Sequence, residues 1–267
     1  MESFGGKTLL ITGASTGIGR ALALRLARAG AQLALTARDA GRLEAAAREC
    51  AAGGAAVLAV PGDVTRPEDC RSSVARTLER FGKLDALVNN AGLTMWSRFD
   101  AITDLTVLER ALTANYLGAA WTTAAALPHL KASRGLIVAV ASVAGLTGVP
   151  ERTGYAAAKH AMVGFFESLR IELAGSGVDV TIVAPDFVKS ELHRAALGPD
   201  GRPLGVSPMD EPRIMTSEEC ARLIERAMAR RQRLLITSRR GRLARWARLL
   251  TPALVDAMAA RAIRLRR

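Results

Sequence analysis

Tyr155 and Lys159 stand four residues apart at the start of a stretch (156–173) whose apolar residues recur with helical spacing, so both side chains fall on one helix face. That pairing has a chemistry. A free phenol titrates near pH 10, too high for a base at neutrality. A fixed ammonium beside it favours the phenolate and brings the group toward the working range. The phenol can then give a proton to a forming alkoxide, or take one from an alcohol. Taken alone the pair says little, because a tyrosine and a lysine at this spacing ordinarily share a solvated surface. Tyr116, the only other tyrosine, has no lysine four residues on.

A second set of residues suits a phosphate. Thr12-Gly13-Ala14-Ser15-Thr16-Gly17-Ile18-Gly19 follows a strand-like run and opens a helical one. Glycines permit a sharp turn and a close backbone approach to a pyrophosphate, and a helix N-terminus adds free N–H groups and partial positive charge. A decorative turn is the competing reading. Dinucleotide folds choose their cofactor at the end of the second strand, with an acid for the ribose hydroxyl of NAD or an arginine for the 2′-phosphate of NADP. This chain reads Leu35-Thr36-Ala37-Arg38-Asp39 there. Arg38 can grip a phosphate through two parallel hydrogen bonds, which points to NADP(H) ahead of NAD(H). The alternatives are a surface pair between Arg38 and Asp39, or an Asp39 turned inward to the ribose.

The glycines are spaced Gly-x3-Gly-x-Gly. Beyond them come Asn89-Asn90-Ala91-Gly92, then Asn115, Ser142 and Tyr155-Ala-Ala-Ala-Lys159. In that order and spacing the chain resembles the short-chain dehydrogenase/reductase family, over about residues 7–190 and more loosely beyond. The resemblance implies an α/β fold: one doubly wound Rossmann-type domain with a mostly or wholly parallel seven-stranded sheet flanked by helices. It implies an NADP-dependent oxidoreductase that interconverts a carbonyl and a secondary alcohol by hydride transfer, with Tyr155 as general acid/base. Ser142 would polarise the substrate oxygen, Lys159 would bond the nicotinamide ribose, and Asn115 would hold a water of the proton relay.

Cofactor contacts are implied for Gly13, Ser15, Thr16, Gly17, Ile18, Gly19 and Arg38. They extend to Asp63 at the adenine amine, Val64, Asn90 near the ribose, Ala91, Gly92, Tyr155, Lys159, Pro185, Val188 and Ser190. Two positions depart from the family pattern. Asp186 stands where glycine is usual, and Ser190 replaces a threonine but keeps its hydroxyl. Aspartate tolerates unusual backbone angles less well than glycine, so the geometry of this loop and the charge preference of the substrate site hinge on it. Trp96, Phe187 and Leu192, with Leu93, Met95, Phe99 and Leu146, could line an apolar pocket for a hydrophobic or bulky substrate. For each singly, ordinary packing is the competing role.

These groups need elements to position them. Strand-like runs occur at 8–11, 32–36, 56–60, 86–89, 135–141, 178–183 and 233–237, alternating with helical patterns such as 20–28 and 156–173. Repeats of this kind give right-handed βα units on a parallel sheet. Residues 186–215, with four prolines and two glycines beyond position 198, read as a long mobile loop carrying a short helix. The expected organisation is a catalytic domain over 1–238 that includes this loop, and a basic amphipathic extension over 239–267.

The chain of 267 residues is 49% hydrophobic but only 4% aromatic, so alanine, leucine and valine must fill its core. Residues 230–267 hold twelve arginines against Asp256 as sole acid, which accounts for +11 of the net +12. Basicity is therefore a property of the tail, and neither a nucleic-acid motif nor stacking aromatics accompany it. In the tail Leu243, Trp246, Ala247 and Leu250 form an apolar stripe, and Thr251-Pro252 marks a new helix start continued by Leu254, Val255, Met258, Ala262 and Leu265. Such helices suit peripheral membrane contact, self-association or packing on the substrate loop. Three scattered cysteines, no apolar run of membrane-spanning length and no signal-peptide core point to the cytoplasm. His129, His160 and His193 show no ligand spacing, so no metal is expected. The family resemblance adds a homodimer or homotetramer. The competing functional classes are a noncatalytic NADP-binding sensor or scaffold, and a membrane-surface binding module.

Overall fold

The computed structural model describes residues 4–207 and 214–264. Pro208, Pro212 and Leu265, and the side chain of Ala262, lie outside the described residues. Seven strands form one sheet: β1 (Thr8–Thr12), β2 (Gln32–Ala37), β3 (Val57–Pro61), β4 (Ala86–Asn89), β5 (Leu136–Val140), β6 (Asp179–Ala184) and β7 (Leu234–Ile236). Their order is β3-β2-β1-β4-β5-β6-β7, and every pair is parallel. Strands β1, β4 and β5 are buried along their whole length, which is why they read as unbroken apolar runs.

Helices cover both faces: α1 (Gly17–Arg28), α2 (Ala40–Ala51), α3 (Pro67–Phe81), α4 (Thr106–Leu112), α5 (Gly118–Ser133), α6 (Thr153–Glu172) and α7 (Ser217–Ala229), followed by α8 (Arg239–Leu250) and α9 (Pro252–Arg264). Between α4 and α5 the helix continues through a π turn, Thr113–Leu117. On one face, Leu22 and Leu26 of α1 pack with Leu9, Ile11, Leu33 and Leu35. On the other, Met162, Phe166 and Leu169 of α6 pack with Leu10, Leu87 and Ile137. Each fully buried leucine stabilises by roughly 1.5–3 kcal/mol. The alanines on α1 let helix and sheet approach closely, so few aromatics are needed.

The strand order reverses between β1 and β4. Ligands of open parallel sheets bind outside the carboxyl ends of the strands at such a switch point. The glycine loop follows β1, Asn90-Ala91-Gly92 follows β4, Ser142 follows β5 and Pro185 follows β6, so topology alone gathers them.

The substrate loop is described over 186–207 and again from 214. Residues 191–195 make a turn, and no helix forms over 186–207. Neighbouring segments take its backbone groups instead: Leu197 N donates to Thr94 O, Trp96 N to Leu197 O, and Lys189 N to Met215 O. Those pairings stitch the loop to the edge of the cleft and compete with a local helix.

Candidate active site

Gly13 has φ +65°, and a Cβ there would lie 2.8 Å from Ala91 Cα, so the turns after β1 and β4 touch backbone to backbone. Thr12 Oγ1 accepts from the amides of Asn90 and Ala91, and Asn90 Nδ2 donates to the carbonyls of Thr12 and Gly13, all at 3.0 Å. The Asn90 amide group is thus occupied in holding the glycine loop. Gly19 alone among the assigned residues lies off the cleft. A Cβ there would sit 2.2 Å from Gly13 O, so this glycine lets the helix close over the turn.

Helix α1 starts with Thr16 as N-cap, without a side-chain cap and without an acid in its first turn. By contrast, Asp39 caps α2, and Thr216 with Glu219 forms a reciprocal capping box on α7. An uncapped helix start behind a glycine turn fits a pyrophosphate. Ser190 reaches the same place, its Cβ 3.3 Å from where a Gly17 Cβ would stand.

Arg38 is exposed at the end of β2, on the cleft wall, and has no ion-pair partner among the described residues. Asp39 lines the same wall but forms no ion pair with Arg38. Its carboxylate accepts from Arg42 N at 2.9 Å and meets Arg42 Nε at 3.3 Å, because the start of α2 needs a cap. Arg42 also lines this end of the cleft and joins Glu191 of the substrate loop at 2.6 Å. Asp63 Oδ1 accepts from Thr65 N at 2.9 Å, which fixes the turn after β3.

Tyr155 lies in the first turn of α6, 6% exposed, and its hydroxyl has no hydrogen-bond partner among the described residues. Lys159 Nζ lies 5.8 Å from the Tyr155 ring centre and donates to Val140 O at 2.8 Å. Burial, and then the positive charge of Arg152, pull the Lys159 pKa down to about 7. Ser142 Oγ accepts from Ala144 N at 3.1 Å.

Asn115 sits in the π turn, where such turns often carry function. Its Nδ2 donates to Leu93 O and Ala111 O, both at 2.8 Å, while its buried Oδ1 accepts from no group among the described residues. A Cβ on Gly92 would lie 2.3 Å from that oxygen and 3.8 Å from Lys159 Nζ. The amide oxygen and the ammonium therefore face the same side of Gly92, open because residue 92 has no side chain.

Residues 7–198 match the family described as short chain dehydrogenase. The chain belongs to the short-chain dehydrogenase family. It is 43% identical over 244 residues to 11-beta-hydroxysteroid dehydrogenase 1A of Arabidopsis thaliana, covering 87% of this chain and 68% of that relative. Among solved structures it is similar to a short-chain dehydrogenase/reductase from Burkholderia phymatum in complex with NAD, with a TM-score of 0.83, 28% identity, and 95% and 96% of the two chains covered. It is also similar to an alcohol dehydrogenase from Thermococcus sibiricus complexed with 5-hydroxy-NADP, with a TM-score of 0.76, 29% identity, and 86% and 95% covered.

In this short-chain dehydrogenase the cleft encloses about 1210 Å³, and Trp96, Phe187, Leu192 and Leu93 line it. Met95, Leu146 and Phe99 do not. Met95 is buried among Val107, Tyr155 and Leu197, Leu146 packs on the core behind β5, and Phe99 is exposed in a short turn. Arg152, three residues before Tyr155, also lines the cleft and is a member of the site that the sequence reading did not single out.

Asp186 resolves differently from a missing glycine. Its backbone is not in the left-handed region, so no glycine is required. Its carboxylate receives Ser238 Oγ at 2.7 Å and two bonds from Arg240 Nη2, at 2.8 and 3.0 Å. Burial alone would raise its pKa, but the Arg240 and Ser238 hydrogen bonds and the Arg240 charge hold it below the usual carboxylate range. Asp186 thereby pins the start of α8 to the substrate loop.

The tail is part of the cleft. Gly241 packs tightly on Val143, Arg248 Nη1 donates to Thr147 Oγ1 at 3.4 Å, and Ala247, Val255, Met258 and Ala259 line the wall. The expected stripe is split: Leu243 and Ala247 line the cleft, with Ala244 beside them, whereas Trp246 is 64% and Leu250 78% exposed. No helix among the described residues is long and apolar enough to cross a membrane.

Proposed function

We propose that this short-chain dehydrogenase uses NADP(H) to interconvert a ketone and a secondary alcohol on a bulky, largely apolar substrate. The observation that carries the reading is a buried Tyr155 whose hydroxyl has no partner among the described residues, backed by Lys159, at the foot of an apolar cleft whose far end carries Arg38, which pairs with no acid among those residues. The hydroxysteroid dehydrogenase name of the Arabidopsis relative supports the same class of substrate.

The glycine turn and the uncapped start of α1 would hold the pyrophosphate, Arg38 the 2′-phosphate, and Ser190 and Val188 the nicotinamide end. When bound, the nicotinamide supplies or accepts the hydride. Ser142 bonds the substrate oxygen and orients it toward Tyr155. Tyr155 gives its proton to that oxygen in reduction and takes it back in oxidation. Lys159 titrates near neutrality and can refill the phenol. Asn115 Oδ1 offers the next acceptor toward solvent.

The test is turnover of the purified protein with rigid cyclic ketones, reading NADPH consumption and the alcohol formed. NADPH should be consumed with alcohol produced in equal amount, and NADH should serve at least about tenfold less well. Tight NADPH binding with no alcohol from any ketone would leave a noncatalytic cofactor sensor.

A second reading concerns the tail. Its outward apolar side chains, Trp246, Leu249, Leu250 and Leu254, stand among arginines, a composition suited to an anionic membrane surface. Each arginine near such a surface adds about 1 kcal/mol. The full chain should float with vesicles containing anionic lipid and stay behind with zwitterionic ones. No flotation with either would return these helices to a role within the protein or between its copies.

A further inference from the structure

Arg152 is the only buried arginine among the described residues, 4% exposed. The backbone forces it inward. Glu151 before it holds φ +63°, a left-handed conformation costly for a residue with a side chain, and is fixed there by Ser97 N donating to its carbonyl at 2.8 Å. The guanidinium then lies over the Tyr155 ring, 4.4 Å from its centre, with Trp96 at 5.2 Å and Phe187 at 5.8 Å.

Its polar needs are only partly met. It bonds Thr94 Oγ1, but its buried Nε has no partner, and no acid pairs with it among the described residues. The neighbouring carboxylate of Glu151 instead accepts from Trp96 Nε1 at 3.1 Å. A second buried cation, Lys159, belongs to the same site. Contact with aromatic faces compensates a desolvated guanidinium in part. A buried charge with an unmet donor, lining a ligand cleft beside the reacting phenol, is a site awaiting an anion.

We propose that Arg152 reads a carboxylate on the substrate, placed within a few bonds of the reacting carbon. The substrate is then an apolar oxo acid or hydroxy acid. Its charged end meets Arg152, and its hydrocarbon body lies along Trp96, Leu192 and the tail wall. This rests on the oxidoreductase reading above and narrows its substrate class.

The test uses the full chain saturated with oxidised cofactor, which cannot reduce a ketone, so binding is read apart from turnover. Straight-chain oxo acids, with the ketone at increasing distance from the carboxylate, are titrated calorimetrically, each beside its methyl ester. The best acid should bind about ten- to a hundredfold tighter than its ester, the ratio expected for a charge-assisted hydrogen bond. Arg152→Gln should bring that ratio to about one, and Arg152→Lys should keep part of it; melting curves confirm that both variants fold. Equal binding of acid and ester by the native protein, or a preference that survives Arg152→Gln, would overturn the assignment. Reduction of a neutral cyclic ketone by the same native and variant proteins, supplied instead with NADPH, reports separately on the oxidoreductase reading.

Discussion

Tyr155→Phe is expected to lower turnover by about a hundred- to ten-thousandfold, the range that a positioned proton donor supplies. The same change should leave NADPH binding within about twofold and the melting temperature nearly unchanged. The reason lies in what the hydroxyl does not do. It makes no hydrogen bond to any described residue, so its removal strands no buried partner. The ring stays packed among Met95, Ala144 and Ala156. Loss of function without loss of stability or cofactor is a signature that a merely structural tyrosine cannot give. Steady-state turnover beside a fluorescence titration of NADPH would check it, and turnover retained within about tenfold would remove Tyr155 from the mechanism.

Arg38→Ala is expected to weaken NADPH binding by about ten- to a hundredfold while changing NADH binding by no more than about twofold. Arg38 is exposed and pairs with no acid among the described residues, so its removal breaks no ion pair there. Asp39 remains engaged by Arg42, which keeps it from offering a carboxylate to a ribose hydroxyl. Arg42 lines the same end of the cleft, where Asp39 and Glu191 share its guanidinium. If Arg42 holds part of the phosphate, the loss falls toward the lower end of the range. Equal losses for both cofactors would show that Arg38 does not read the phosphate.

The strands and the set of residues gathered at the cleft were legible because they depend on local signals. Unbroken apolar runs marked β1, β4 and β5, and the glycine turn and Tyr155-to-Lys159 spacing mark positions where backbone geometry allows few substitutes. The features that escaped depend on contacts distant in sequence. No helix forms over 186–207, because Thr94, Trp96 and Met215 take backbone groups it would have used there. Asp186 looked like a defective glycine until Arg240, more than fifty residues on, supplied its partner. Met95 and Leu146 read as pocket residues because apolarity alone does not distinguish a cleft wall from the core behind it. Arg152 was lost among 37 basic residues, and only burial separates it from the solvated ones.

The π turn at Thr113–Leu117 carries a consequence for comparing relatives. A turn closed between residues five apart holds one residue more than an α turn, so the helix over 106–133 contains a residue that regular hydrogen bonding would not need. Removing it would restore an ordinary helix and rotate the turns of α5 by roughly 100° about the axis. A single-residue gap in a long helix normally passes as alignment noise. Here it would separate homologues that keep the Asn115 oxygen beside Gly92 from those that have lost it while the surrounding helix stayed intact.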